Sequence, residues 1–264
     1  MATSSTGNSP IVAQPGLDWK VEVEAKPLRI YLKQRALEGE PFLRKVLAHI
    51  ESHPLFVHPF FGAFSEGRLN LDQVRLWAKQ RLFSSQRFPC FLAAFVSHIE
   101  EDVDLRAAYV KQIYEEHGNL DPPKVHSRQL TRLILALGVS RDELCREQML
   151  AGTKRFVDTY MRVSREGDLL KCMGMYALGS EPVIAMEMVL CLRGLQTISW
   201  LKSEDMIYFT DHAYHDYRHT AELTDVLLPF LRSDADRERA WKGIVEIIDA
   251  RKALYDGVAE RIGL

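Results

Sequence analysis

In residues 208–228, YFTDHAYHDYRHTAELTDVLL, three of the nine histidines fall within eight positions, with an aspartate among them. Wound at 3.6 residues per turn, His212, Asp216 and His219 stand at i, i+4 and i+7, so their side chains share one face within about 60°. Imidazole and carboxylate set a turn apart on one face suit a divalent first-row metal of intermediate softness. His215 points to one side of that face, as a neighbour or a spare. A lone histidine is usually a satisfied core residue or part of a solvated face. Three ligand-type side chains on one face make a rarer coincidence.

Two further stretches set carboxylates in helical, apolar surroundings. In IYEEHGNLDPPKVHSRQL, Glu115, Glu116 and His117 end one helical segment and His126 begins the next. The turn between them can bring a glutamate and His126 to one ion; a solvated helix end is the plainer alternative. In YALGSEPVIAMEMVL, Glu181 and Glu187 lie in an apolar run, where a charge is costly unless paired or bound to a metal. For Glu181 the plainer alternative is a first-turn carboxylate ahead of Pro182. Basic residues inside apolar helices are natural anchors for a substrate carboxylate. Arg81, Arg87 and Arg193 are the candidates, because a planar guanidinium binds a carboxylate bidentately. A surface ion pair is the ordinary role for each. Phe83, Phe88, Phe95 and Tyr160 read as core aromatics that can also line a pocket.

The elements that must hold these residues are helices. Residues 1–16, rich in Ser, Thr, Asn, Pro and Gly, read as a disordered tail, and residues 17–39 as one helix or a strap. From residue 40 onward apolar residues recur at helical spacing, with no alternating strand pattern and no internal repeat. A long helix starts at Asn70 or Asp72 and carries Pro89, which predicts a kink. Helices over 104–117 and from 121 to 137 follow, the latter ending at Gly138. Ser140 with Glu143 forms a capping box. Long helices are expected over 142–165 and 168–196, a His-rich helix capped by Ser203, and a last one from Ser233 or Asp234 to about 261. The result is one all-α domain over 40–264 behind a flexible extension over 1–39.

Composition narrows the function. A net charge of −2 over 264 residues leaves no basic stripe for nucleic acid. No segment looks long enough to span a membrane, and the N-terminus lacks the basic and apolar regions of a secretory signal. Cys90, Cys145, Cys172 and Cys191 form no C-x-x-C pair and read as reduced thiols of a cytoplasmic protein.

Helix order and these motifs resemble the heme-oxygenase-like di-iron oxidases and oxygenases, which have the heme-oxygenase/TenA-like helical fold. The likeness is to the branch containing the chlamydial death-domain-associating protein, and runs from about residue 40 to the end. The resemblance implies two Fe(II) ions held by Glu115, His126, Glu181, His212, Asp216 and His219, with Glu116 an equal chemical match for Glu115. It also implies activation of O2 to oxidise a small amino-acid-derived or carboxylate substrate, by N-oxygenation or oxidative C–C cleavage, in specialised metabolism. Asp211, His215 and Glu222 are candidates to orient the imidazoles from outside. The 118–125 loop is longer than in that branch, and Leu178, Gly179 and Ser180 replace a tyrosine-rich segment. A reaction on the enzyme's own tyrosine is therefore not expected. A homodimer is compatible with the fold by analogy. The rival readings are a metal-free TenA-like enzyme, which would need a nucleophilic cysteine near an acid, and a helical interaction protein.

Overall fold

A computed structural model describes residues 26–264, apart from the side chains of Lys26, Tyr214 and His215. The tail expected over 1–16 lies outside the described residues. Twelve α-helices and no strand make up the described part: α1 (Lys26–Gln34), α2 (Pro41–Ser52), α3 (Pro59–Ser65), α4 (Leu71–Val96), α5 (Val103–Glu116), α6 (His126–Ala136), α7 (Arg141–Arg146), α8 (Ala151–Arg165), α9 (Leu169–Ala177), α10 (Glu181–Gln196), α11 (Ile207–Leu227) and α12 (Asp234–Ile262).

Local chemistry sets many of the boundaries. Asn70, Ser140 and Ser233 each accept from the backbone N–H three residues on, and Gln73, Glu143 and Asp236 return the bond, closing three capping boxes. Gly118 takes φ +63 just beyond α5, where a Cβ would lie 2.4 Å from the Lys124 carbonyl carbon. That residue turns the chain from α5 toward α6. α4 continues through Pro89 as one 26-residue helix. Within the extension, α1 buries Leu28, Tyr31 and Leu32 against the body, and the Tyr31 hydroxyl donates to Asp225 of α11 at 2.8 Å.

Two expected helices are each two in the structure. The 142–165 stretch is α7 and α8, parted by an extended Glu147 and an extended Leu150. The 168–196 stretch breaks at residues 178–180 into α9 and α10. There Gly179 lies against α12, with Ile247 Cγ2 2.6 Å from where a Cβ would stand. Pro182, lacking an N–H, suits the first turn of a new helix. Glu181 thus opens α10, where the partial positive end of the helix favours a carboxylate.

The 169–196 stretch also corrects the membrane reading. It is long and apolar enough to cross a bilayer, yet 89% of its most apolar window is buried inside the fold. It forms the centre of the domain, with α12 packed on α9 and α8, and α11 on α10. The core continues through Phe60, Phe64, Trp77 and Phe209, whose rings meet at centroid distances of 4.8–5.9 Å. Each buried ring of this kind contributes about 1.5–3 kcal/mol relative to exposure.

Candidate metal centre

Four helices deliver the ligand-type residues. Glu115 and Glu116 end α5, His126 is the first residue of α6, Glu181 the first of α10, and His212, Asp216 and His219 lie along α11. Two groups form. Glu116, His126 and His212 make one; Glu181, Asp216 and His219 make the other, and within each the ligand atoms lie within 4.8 Å of one another. In the first, Glu116 Oε2 stands 3.0 Å from His126 Nδ1, and the His126 and His212 rings are 4.4 Å apart. In the second, His219 Nδ1 lies 3.4 Å from both Glu181 Oε2 and Asp216 Oδ1.

The outer nitrogens of two imidazoles have partners. His212 donates Nδ1–H to the Tyr208 carbonyl one turn back at 2.6 Å, which frees Nε2 for a metal. His219 turns Nε2 toward Glu115 Oε2 at 3.1 Å, and Arg218 donates to the other Glu115 oxygen at 2.8 Å. Glu115 therefore stands behind His219, while its neighbour Glu116 joins His126 and His212.

The charges are strained in a way that fits a cation. Burial and the nearby His126 push the His212 imidazole down to about 3. Burial lowers His219 too, but the carboxylates of Asp216, Glu115 and Glu181 outweigh it and raise it well above an ordinary imidazole. His126 rises likewise, because Glu116 overcomes the cost of burial. Burial raises Asp216, and the Glu181 carboxylate adds to the rise. Burial also pushes Glu115 up, but His219, Arg218 and Lys111 hold it at about 2. Asp216 Oδ2 is buried and receives no hydrogen bond. Crowded buried carboxylates, protons held on imidazoles and an orphaned carboxylate oxygen are the marks of a donor set that fits a divalent ion.

Both groups reach one pocket, with His126 alone of the six standing off its wall, and Arg81, Phe88, Phe156, Tyr160, Tyr208 and Arg251 also line it. On their other side a second, more polar hollow is lined by Glu115, Lys124, Gln129 and Arg218. His212, Asp216 and His219 border both.

Residues 75–252 match the sequence profile of a family described as iron-containing redox enzymes. The chain belongs to that family. It is accordingly an oxidoreductase, and iron is the metal its family's description names. The chain is 29% identical over 200 residues to a 4-aminobenzoate synthase of Chlamydia muridarum, covering 74% of this chain and 81% of that one. It is 23% identical to a 4-chloro-allylglycine synthase of Streptantibioticus cattleyicolor, over 86% of each. A solved Shewanella denitrificans domain with a heme oxygenase-like fold superposes with a TM-score of 0.71 at 16% identity, over 84% of this chain and 91% of that one. The helical architecture is thus heme-oxygenase-like, as the sequence led us to expect.

Other residues singled out from the iron-containing redox enzyme's sequence scatter. Of the three arginines, Arg81 lines the cavity. Arg87 donates to the Phe83 carbonyl at 3.0 Å, and Arg193 sits half-buried near the end of α10, neither on the cavity wall. Asp211 accepts from Gln129, and Glu222 pairs with Lys111, neither reaching an imidazole through those contacts. The His215 side chain lies outside the described residues. Phe88 and Tyr160 line the cavity, whereas Phe95 is plain core. Sequence reasoning missed Arg251 and Tyr208. Arg251 carried a weak signal, a charge within the apolar stretch of α12; nothing in the residue pattern marked a backbone carbonyl as the partner of His212.

Proposed function

We propose that the two groups hold two ferrous ions and that the enzyme uses O2 to oxidise a small amino-acid-derived or carboxylic substrate, by N-oxygenation or oxidative C–C cleavage. One observation carries the reading: two three-ligand groups hold three carboxylates and three imidazoles between them, and five of the six line one pocket. A structural zinc site needs only four ligands. Bound ferrous iron supplies the electrons for reducing dioxygen.

The chain's own residues do the rest. Ligands on packed helices are held more rigidly than ligands on loops. The Tyr208 carbonyl and Glu115 fix the ring orientations of His212 and His219. Phe88, Phe156 and Ile184 exclude water from the space beside the ligand groups. The products named for the two relatives above each carry an amino group and a carboxylate, which supports a substrate of that kind. A metal-free TenA-like reaction finds no thiol: none of the four cysteines lines the cavity, and burial pushes Cys172 up to about 12.

The test is oxygen consumption by ferrous-loaded protein against a panel of amino acids and short carboxylic acids. Uptake accelerated by one substrate class, and lost in His212→Ala, supports the reading. Oxygen uptake indifferent to every substrate and unchanged in His212→Ala would sink it.

A further inference from the structure

Beside the ligand groups, the cavity holds a second cluster of charge. Arg81 of α4 and Arg251 of α12 are 4% and 1% exposed, and both line the cavity wall. They share one carboxylate. Arg81 Nη1 lies 2.7 Å from Glu187 Oε1, and Arg251 Nη1 2.5 Å from Glu187 Oε2. The Tyr255 hydroxyl also donates to Glu187, and Arg251 Nη2 donates to the Tyr160 hydroxyl at 3.1 Å. Arg251 lies over the Phe156 ring, 4.8 Å from its centre, which fixes the plane of its guanidinium.

Within this cluster two guanidinium charges face one carboxylate, a local surplus of +1; the other carboxylates on the wall, Glu116, Glu181 and Asp216, belong to the ligand groups. The guanidinium charges hold Glu187 ionised despite its burial, and Tyr160 and Tyr255 stay neutral because burial pushes both phenols up. Arg81 Nε and Arg251 Nε are buried and have no acceptor. A buried, unbalanced cation is expensive, and buried donors without acceptors are rare in native proteins. A core that only needed bracing would be served by one arginine for one glutamate. The arrangement has the form of a receptor for one more anion.

We propose that Arg81 and Arg251 form an anion subsite that binds the carboxylate of a small monoanionic acid, whose apolar body lies among Phe88, Phe156 and Ile184. The subsite deepens the reading above and rests on it for its purpose, which is to set the substrate beside the ligand groups. Its existence can be tested without iron. Glu187 tunes it, by cancelling one of the two positive charges and holding both arginines in place.

The experiment is calorimetric titration of metal-free protein with 3-phenylpropanoate and hexanoate, each against its neutral amide. The acids are expected to bind about ten-fold or more tighter than the amides, as charge-assisted bonds to a paired guanidinium require. Arg81→Gln leaves Glu187 held by Arg251 and Tyr255 but removes the surplus charge, and the acid preference should vanish. Glu187→Gln raises the surplus to two charges, and the acids should bind several-fold tighter. A purely structural network would not move affinity in opposite directions in these two variants. If Arg81→Gln does not fold, the acid-to-amide ratio and the Glu187→Gln gain still decide. Equal binding of acid and amide, no binding by either acid, or weaker acid binding in Glu187→Gln would overturn the subsite. Iron uptake measured separately keeps the two readings apart: a protein that takes up iron but shows no acid preference loses the subsite alone.

Discussion

Glu115 and Glu116 are chain neighbours that face different partners, and the difference is open to test. Glu116 stands with His126 and His212, whereas Glu115 Oε2 lies 3.1 Å from the far nitrogen of His219. Glu116→Ala should abolish binding of one of two irons, read by metal analysis after desalting. Glu115→Gln should keep both ions and weaken affinity about 10–100-fold, the usual cost of losing a partner behind a ligand. The opposite pattern would make Glu115 the ligand. A pH effect follows from the same contacts. His126 and His219 are raised above the ordinary imidazole value, so the stability they lend is complete below about pH 6.5 and is lost as pH rises through their folded values. The raised Asp216 acts in the same direction, and the lowered His212 has no further effect above that pH. Metal-free protein should therefore melt at a falling temperature from pH 6.5 to 9. Iron-loaded protein should not, because the metal replaces the protons; equal slopes by calorimetry would contradict this. The α11 triplet was legible because a period of 3.6 fixes which side chains share a face. The choice between Glu115 and Glu116 was not. Adjacent residues on a helix point about 100° apart, and the rotation of α5 depends on how the chain turns at Gly118, which no periodicity reveals.

At the level of elements, the site depends on how closely α12 approaches α8 and α9. Gly243 of α12 packs so tightly that a Cβ would fall 2.0 Å from the Lys171 carbonyl oxygen, and one at Gly174 of α9 would fall 2.3 Å from that of Ala240. This contact carries Arg251 across to Glu187 on α10. Gly243→Ala should cost about 1–3 kcal/mol by overpacking, lowering the melting temperature by several degrees. An unchanged melting temperature would show that the helices can move apart freely. The cap at Ser140 was readable, and those at Asn70 and Ser233 were narrowed to two residues each, because each is a local exchange of two hydrogen bonds. The cap expected at Ser203 is not formed, since α11 starts at Ile207 behind Met206 with no side-chain cap. The break over 178–180 was hidden, because it arises where Gly179 meets Ile247, nearly seventy positions away in sequence. That break puts Glu181 on a helix N-terminus, so the missed feature is one that places a ligand-type residue.

Across the whole molecule, α5, α6, α10 and α11 converge from separate parts of the chain, and two metal ions would tie them together. Anything that binds the folded state alone stabilises it by mass action, so ferrous iron should raise the melting temperature in step with its concentration. The helical class followed from apolar spacing along the sequence. The cavity did not, because it is bounded by side chains from α4, α5, α8, α10, α11 and α12 together. An anaerobic ferrous titration of the metal-free protein reads directly whether the two ligand groups take up a pair of irons. Uptake of two irons per chain is expected, with loss of one or both in His212→Ala and Asp216→Ala. Uptake of no iron, or uptake unchanged in both variants, would contradict the two-iron proposal.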